Sequence, residues 1–346
     1  MPSMPGKFTI SAAGSRKTTG IVEDALADPT KRILITTYTI ENTAQISRML
    51  TERAGHVPSH IKVYPWFTFL LRECAKPYQS FLTSAGRIKS INFNPDAVTS
   101  RLYKRKADVD ARYFDNHDNL ISEFLTDFIN EVNNKSGMLV VDRLERMIDK
   151  LYIDEVQDMS GPDHELIEYL MSSAIDVLAV GDPRQVTYST IRGTVKSKFK
   201  GDLYGWARSL EAKRVASIEE STSCYRCNQV ICDFADSLYP NLPATISFNE
   251  EETGHDGIMQ IKRDGAVAYY EEYRPIVLRW NIRSETMGLP AINFGQSKGA
   301  TYDRVLIFPT DPMKKFLRTG KPEEAGDLDK FYVAVTRARS SVTFAM

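Results

Sequence analysis

Residues 151–158 read LYIDEVQD, an apolar lead that runs straight into two carboxylates, Asp154 and Glu155. A short continuous apolar segment of this kind is the pattern of a strand buried on both faces of a parallel sheet. Its acids then fall at the carboxyl end of the strand, where open α/β sheets collect their ligands. One carboxylate there can hold Mg²⁺ through water, and its neighbour can activate an attacking water. A solvated acidic turn would not require the apolar residues to lead directly into the acids.

Outward from this stretch, other apolar and β-branched runs recur with helical patterns between them: KFTIS (7–11), RILITTYT (32–39), DVLAVGD (176–182), RPIVLRW (274–280), RVLIFP (304–309) and SVTFAM (341–346). The alternation predicts an α/β fold with parallel sheets covered on both faces. Polar clusters follow the strands. The first is SAAGSRKTTG (11–20), which reads as a phosphate-binding loop of the G-x-x-x-x-G-K-[ST] type, with Ser11 and Arg16 standing at the two glycine positions and Gly14 between them. Backbone N–H groups around Gly14 and the following helix N-terminus would cradle phosphates, with Lys17 on the β/γ-phosphates and Thr18 on Mg²⁺. Taken alone, the loop could equally be an ordinary strand–turn–helix with a surface lysine. Arg16 either adds a charge-assisted contact to a triphosphate or points to solvent. The next cluster, GDPRQ (181–185), places Asp182 and Gln185 at a strand end, where a Gln can sense a γ-phosphate.

The bulk numbers bound the function. The chain has 346 residues, 42% of them hydrophobic and 26% charged, enough for two domains with separate cores. A net charge of -1 excludes a histone-like polycation but leaves room for a local basic groove. Cys74, Cys224, Cys227 and Cys232 are too few and too clustered for a disulfide scaffold and favour a reducing compartment. No signal peptide or membrane-spanning run is evident, so a cytoplasmic location and no membrane partner are expected. The CYRC stretch with Cys232 invites a metal reading, but no fourth ligand completes it. Residues 75–145 break the rhythm and are expected to form a mostly helical insertion, and residues 240–270 an acidic loop or small excursion. The expected domains are 1–210 and 211–346.

Taken in order, these stretches resemble the motifs of UvrD/PcrA/Rep-type superfamily-1A DNA helicases. SAAGSRKTT is similar to motif I, ILITTYTIENTAQIS to motif Ia, and VYPWFTFLLRE to the neighbouring Thr-Phe-His stretch. IDEVQD matches motif II, and VGDPRQVTYS resembles motif III. STSCYRCN looks like motif IV, RPIVLRWN like the strand after it, FGQSKGATYDRVLIFP like motif V, and KFYVAVTRARSSVTF like motif VI.

The resemblance implies two RecA-like domains that bind ATP and Mg²⁺ in the cleft between them. It assigns the nucleotide to Gly14, Ser15, Arg16, Lys17, Thr18 and Thr19, with Thr18 and Asp154 on the metal. Glu155 becomes the general base, Gln185 the coupler of γ-phosphate to DNA, Arg226 and Arg337 arginine fingers, and Tyr225 a platform for the base. Single-stranded DNA, or a tailed duplex, would contact Thr37, Trp66, Phe67, Tyr188 and Lys298. For Trp66 and Phe67 a place in the core is an equal alternative. The basic run Arg101–Lys106 is either a DNA contact or a solvated face. The implied activity is 3′-to-5′ translocation or unwinding, with a protein partner supplying processivity. The alternative is an ATP-gated accessory or switch module of a replication, repair or phage-defence complex.

Departures from the family pattern are also visible. Thr301 replaces the usual motif V Glu, which puts sugar selectivity in doubt. No adenine-reading glutamine motif precedes the loop. The aromatic that usually follows the motif III tyrosine is missing, and no large accessory subdomain separates motifs IV and V.

Overall fold

The computed structural model describes residues 6–84, 86–187 and 198–346. The chain divides into two compact units. One holds residues 6–10, Thr18–Gly181 and 198–219; the other holds Ser11–Lys17, Asp182–Thr187 and Glu220–Met346.

In the first unit, β1 (Gly6–Ser11) leads into α1 (Lys17–Ala27), β2 (Ile33–Thr37) into α2 (Ile40–Ala54), and β3 (Ile61–Pro65) into helical turns over Trp66–Tyr78. Then come α3 (Leu125–Lys135), α4 (Leu139–Met147), β4 (Lys150–Asp154), α5 (Pro162–Met171), β5 (Asp176–Gly181), α6 (Leu203–Ala212) and β6 (Ala216–Ser221). The sheet order is β3-β2-β4-β5-β1-β6. Neighbours from β3 to β1 pair in parallel, with Thr37 opposite Asp154 and Ile10 opposite Gly181. The central strands read as apolar runs because helices cover both faces: Phe8, Leu34, Leu151 and Val177 are all buried. The expected insertion is helical chiefly at α3 and α4. Between residues 79 and 121 it is built from short turns, five-residue helices and a ladder of Ile91–Asn92 with Leu120–Ile121. Tyr113, Phe114, Phe124 and Phe128 pack edge to face beneath it.

The second unit contributes α7 (Gln229–Asp236), β7 (Gly257–Ile261), α8 (Ala266–Tyr273), β8 (Ile276–Arg279), β9 (Ala291–Asn293), β10 (Tyr302–Phe308), α9 (Asp311–Thr319), α10 (Leu328–Val335) and β11 (Ala338–Ala345). Its sheet runs β7-β11-β10-β8-β9, all parallel. The region expected to be an acidic excursion therefore ends in an edge strand, β7. Both units are RecA-like in architecture: a parallel sheet between helices, with loops gathered at the carboxyl ends of the strands. Among the described residues no helix is long and apolar enough to cross a membrane.

Candidate functional site

In the first unit the acids of LYIDEVQD emerge where β4 ends, as its apolar run requires. Asp154 is buried, and its Oδ2 accepts a hydrogen bond of 2.7 Å from the Thr18 hydroxyl at the start of α1. Its Oδ1 takes the backbone N–H of Glu155 at 3.0 Å. Glu155 has φ 57°, a left-handed turn that costs an L-residue roughly 1–2 kcal/mol and throws the side chain away from the strand line. Gln157 then donates from Nε2 to the Glu155 carboxylate. Gly181 packs closely on this segment: a Cβ there would lie 2.7 Å from Gln157 Oε1 and 3.0 Å from Val156 Cγ1. Gln157 is a neighbour of the base that the sequence reading left unassigned; its signal was the Val-Gln-Asp that follows the acids.

In the second unit the loop of residues 11–17 forms a cradle. Gly14 has φ 75°, and a Cβ on it would sit 2.8 Å from both Cys224 Sγ and Arg226 Cβ. Its carbonyl accepts the Tyr225 N–H at 2.9 Å. The Ser11 and Ser15 hydroxyls are buried with no hydrogen-bond partner, and Lys17 Nζ folds back on the Ser11 and Ala12 carbonyls at 3.3 and 3.2 Å. Orphaned donors and a folded-back ammonium in a glycine-lined turn fit a phosphate group, which would supply the missing acceptors. In the first unit, the hard oxygens of Thr18 and Asp154 likewise fit Mg²⁺. Thr19 follows, half-buried, in the first turn of α1.

Arg16 is exposed at the rim of this loop. Its φ is 63°, and its guanidinium lies over the Tyr225 ring at 4.2 Å from the centroid. Tyr225 in turn stacks on Phe248, with centroids 5.0 Å apart and planes at 20°. Gln185 is the hub of this unit. Its Nε2 donates to Asp182 Oδ2 at 2.7 Å, its Oε1 accepts from Arg337 at 3.2 Å, and its carbonyl accepts from Lys298 Nζ at 3.1 Å. Arg337 is buried and also donates to the Val333 and Ala300 carbonyls, while Arg226 donates to Thr336 O at 3.1 Å. Beside this network, burial, helped by Asp327 and Asp182, pushes the Asp329 carboxyl up to about 6 against the lowering effect of the Tyr239 hydroxyl.

The residues expected on DNA divide. Thr37 and Trp66 are fully buried, and Trp66 Nε1 donates to Asp163 at 3.0 Å, so its ring is core and offers no face to a ligand. Lys298 is buried and engaged with Gln185. Tyr188 lies outside the described residues. Among the described residues of this set, Phe67 borders open space. It makes ring contacts with Tyr38 and Phe93 and lines a cavity of about 1070 Å³ with Arg72, Lys76 and Arg87. Phe93 is 56% exposed there, and sequence reading missed it because a lone aromatic in an irregular segment has no periodic signal. The basic run is largely a solvated face: Lys104, Arg105 and Lys106 are exposed, Lys106 pairs with Asp127 and Glu131, and Arg101 donates to Phe114 O. Among the described residues no group of three His, Cys, Asp or Glu is arranged to hold a metal.

Residues 70–199 match the family described as the UvrD/REP helicase N-terminal domain. No curated protein matches the sequence. Among solved structures, the chain is similar to one described as the PRRSV helicase, at 14% identity over 99% of this chain and 52% of that one, with TM-score 0.48. It is also similar to Arterivirus nonstructural protein 10 (helicase), at 14% identity over 98% and 59%, TM-score 0.49. A complex of Arterivirus nonstructural protein 10 (helicase) with DNA matches at 13% identity over 98% and 61%, TM-score 0.50, which shows the fold. The chain thus spans about half to three-fifths of the length of these structures. The likeness to the UvrD/REP helicase N-terminal domain thus rests on residues 70–199, which include the acids Asp154 and Glu155 at the carboxyl end of β4.

Proposed function

We propose that the chain is an ATP-driven motor that moves along single-stranded DNA, hydrolysing ATP with Lys17, Thr18, Asp154 and Glu155. The observation that carries this reading is the 2.7 Å pairing of the Thr18 hydroxyl with Asp154, next to Glu155 at the carboxyl end of β4. Lys17 releases the loop carbonyls to take the β- and γ-phosphates, and Glu155, held by Gln157, accepts the proton of the attacking water. Thr18 and Asp154 would hold Mg²⁺, which would supply neutralising charge to the phosphate. Arg226 and Arg337 stabilise charge on the transferred phosphoryl group, and Gln185, bonded to Arg337, passes the state of the phosphate to the rest of its unit. Tyr225 receives the base. The strand rests in the cavity of the first unit, with bases on Phe67 and Phe93 and phosphates on Arg72, Lys76 and Arg87. The family resemblance supports a 3′-to-5′ direction.

The test is ATP turnover with and without single-stranded DNA. Glu155→Gln should keep nucleotide binding and lose on the order of 10²-fold or more in turnover, because the base is removed while the metal ligand stays. Wild-type turnover in that variant would refute the assignment. DNA-stimulated hydrolysis without strand separation on a tailed duplex would favour a switch over an unwinding enzyme.

A further inference from the structure

Three cysteines converge in the second unit at the phosphate loop, and the proposed hydrolysis uses none of them. Cys224 and Cys227 are spaced C-x-x-C, and the Cys227 N–H points at Cys224 Sγ at 3.3 Å, which brings the two residues together in one turn. Cys232 lies behind them, with its Sγ 3.8 Å from Cys227 O. All of these thiols are free. The pair also touches two segments assigned to nucleotide. Cys224 Sγ packs so closely on Gly14 that a Cβ there would be 2.8 Å away, and Cys227 Sγ is 3.6 Å from the carbonyl of Thr336, which precedes Arg337.

We propose that Cys224 and Cys227 form a peroxide-oxidisable dithiol whose disulfide shifts the Gly14 loop and weakens nucleotide binding. The regulatory half rests on the nucleotide reading above; the oxidation does not. Hydrogen bonds from the Cys227 and Cys232 thiols, with the backbone N–H groups of Cys227 and Arg226, hold the Cys224 thiol well below its usual range despite burial. Cys224 is therefore the attacking thiolate. The thiols are buried but lie on either side of exposed Tyr225 and half-buried Arg226, so an oxidant of near-water size has the shortest path.

The Cys224 thiolate attacks one oxygen of hydrogen peroxide. The O–O bond breaks, and hydroxide leaves to become water on taking up a proton, giving a sulfenic acid on Cys224. The Cys227 sulfur, giving up its proton, attacks the sulfenyl sulfur. The S–O bond breaks, the S–S bond forms, and the departing hydroxide takes that proton as the second water. Two thiols lose two electrons, and one peroxide is reduced to two waters. Cys224 Sγ then turns toward Cys227 and away from its packing on Gly14.

The full chain, reduced and then treated with hydrogen peroxide, is read by intact mass, thiol counting and peptide mapping. Expected are a loss of about 2 Da, a fall from four free thiols to two, and a Cys224–Cys227 cross-linked peptide, all reversed by dithiothreitol. A fluorescent ATP analogue should bind about tenfold more weakly to the oxidised protein and recover on reduction. Cys227→Ser combined with Cys232→Ser, which removes both thiols that reach Cys224, should stop at a sulfenic acid on Cys224, trapped by dimedone, while Cys74→Ser should behave as wild type. Four thiols retained, or a cross-link that omits Cys224, would overturn the site. A Cys224–Cys227 disulfide with unchanged analogue affinity would overturn its effect. Failure of the reduced protein to bind the analogue would instead count against the nucleotide reading and leave the mass result to judge the dithiol.

Discussion

Arg16 holds φ at 63°, a conformation that a side-chain-bearing residue adopts at a cost of roughly 1 kcal/mol or more. Its return is the stack of its guanidinium on Tyr225, worth roughly 0.5–1 kcal/mol at a surface site. The two nearly cancel, which accounts for a loop that keeps its turn without the usual glycine. Arg16→Gly should therefore change unfolding stability by less than about 1 kcal/mol, whereas Arg16→Ala, which keeps the strain and loses the stack, should fall below Arg16→Gly by about 1 kcal/mol. Urea unfolding of the three proteins decides it; equal stability of the Gly and Ala variants would mean that the left-handed turn carries no strain. Nucleotide affinity in Arg16→Gly should stay within about tenfold of wild type. At this scale the sequence was readable where residue type and order fix position: Lys17 and Thr18 open the helix after β1, and Asp154 and Glu155 lie at the carboxyl end of β4. It was not readable where a side chain's direction depends on distant neighbours. Arg16 found Tyr225, and Trp66 found Asp163; no local pattern encodes either pairing.

The elements of the first unit are tied by Asp163 at the start of α5. Its Oδ1 accepts from Trp66 Nε1 at 3.0 Å and from Thr126 Oγ1 of α3 at 2.6 Å, joining the turn after β3 to the insertion. Asp163→Ala would leave both buried donors unsatisfied, and a loss of about 2–4 kcal/mol is expected by chemical denaturation. A loss under about 1 kcal/mol would show that the tie is replaceable. The next residue, His164, stacks on Trp206 with centroids 3.9 Å apart, and burial pulls its pKa down to about 4. Unfolded His164 takes a proton below about 6.5, while the folded ring refuses it until about 4, so its stability is present above that window and is lost as pH falls through it. The loss is roughly 2–3 kcal/mol by pH 4, and His164→Phe should flatten this part of the profile; an unchanged slope in urea midpoints between pH 7 and 4 would refute it. Elements were legible in proportion to their burial. The central strands announce themselves as apolar runs, whereas β7, with Met259 and Gln260 at the sheet edge after an acidic loop, carries no such run and was missed.

For the molecule as a whole, a net charge of -1 means that long-range attraction to nucleic acid is weak and that affinity must come from local groups. Composition gave that balance correctly but could not say which cations line the cavity beside Phe67, because Arg101 and Lys106 look as available in the sequence as Arg72 and Arg87. The fold separates them. The first two are bonded within the insertion, and Arg72, Lys76 and Arg87 line the cavity beside Phe67 and Phe93. If those three cations are the phosphate contacts, binding releases few counterions. The logarithm of affinity for an oligothymidylate should then fall against the logarithm of salt concentration with a slope of about -2, from about 0.7 per phosphate on a single strand. Substituting Arg72, Lys76 and Arg87 together by Ala should bring the slope close to zero and leave only the stacking contribution. Fluorescence anisotropy across roughly 50–200 mM salt measures both proteins. A wild-type slope steeper than about -4, or a slope that the triple substitution leaves untouched, would place the strand on another surface and detach the cavity from the motor.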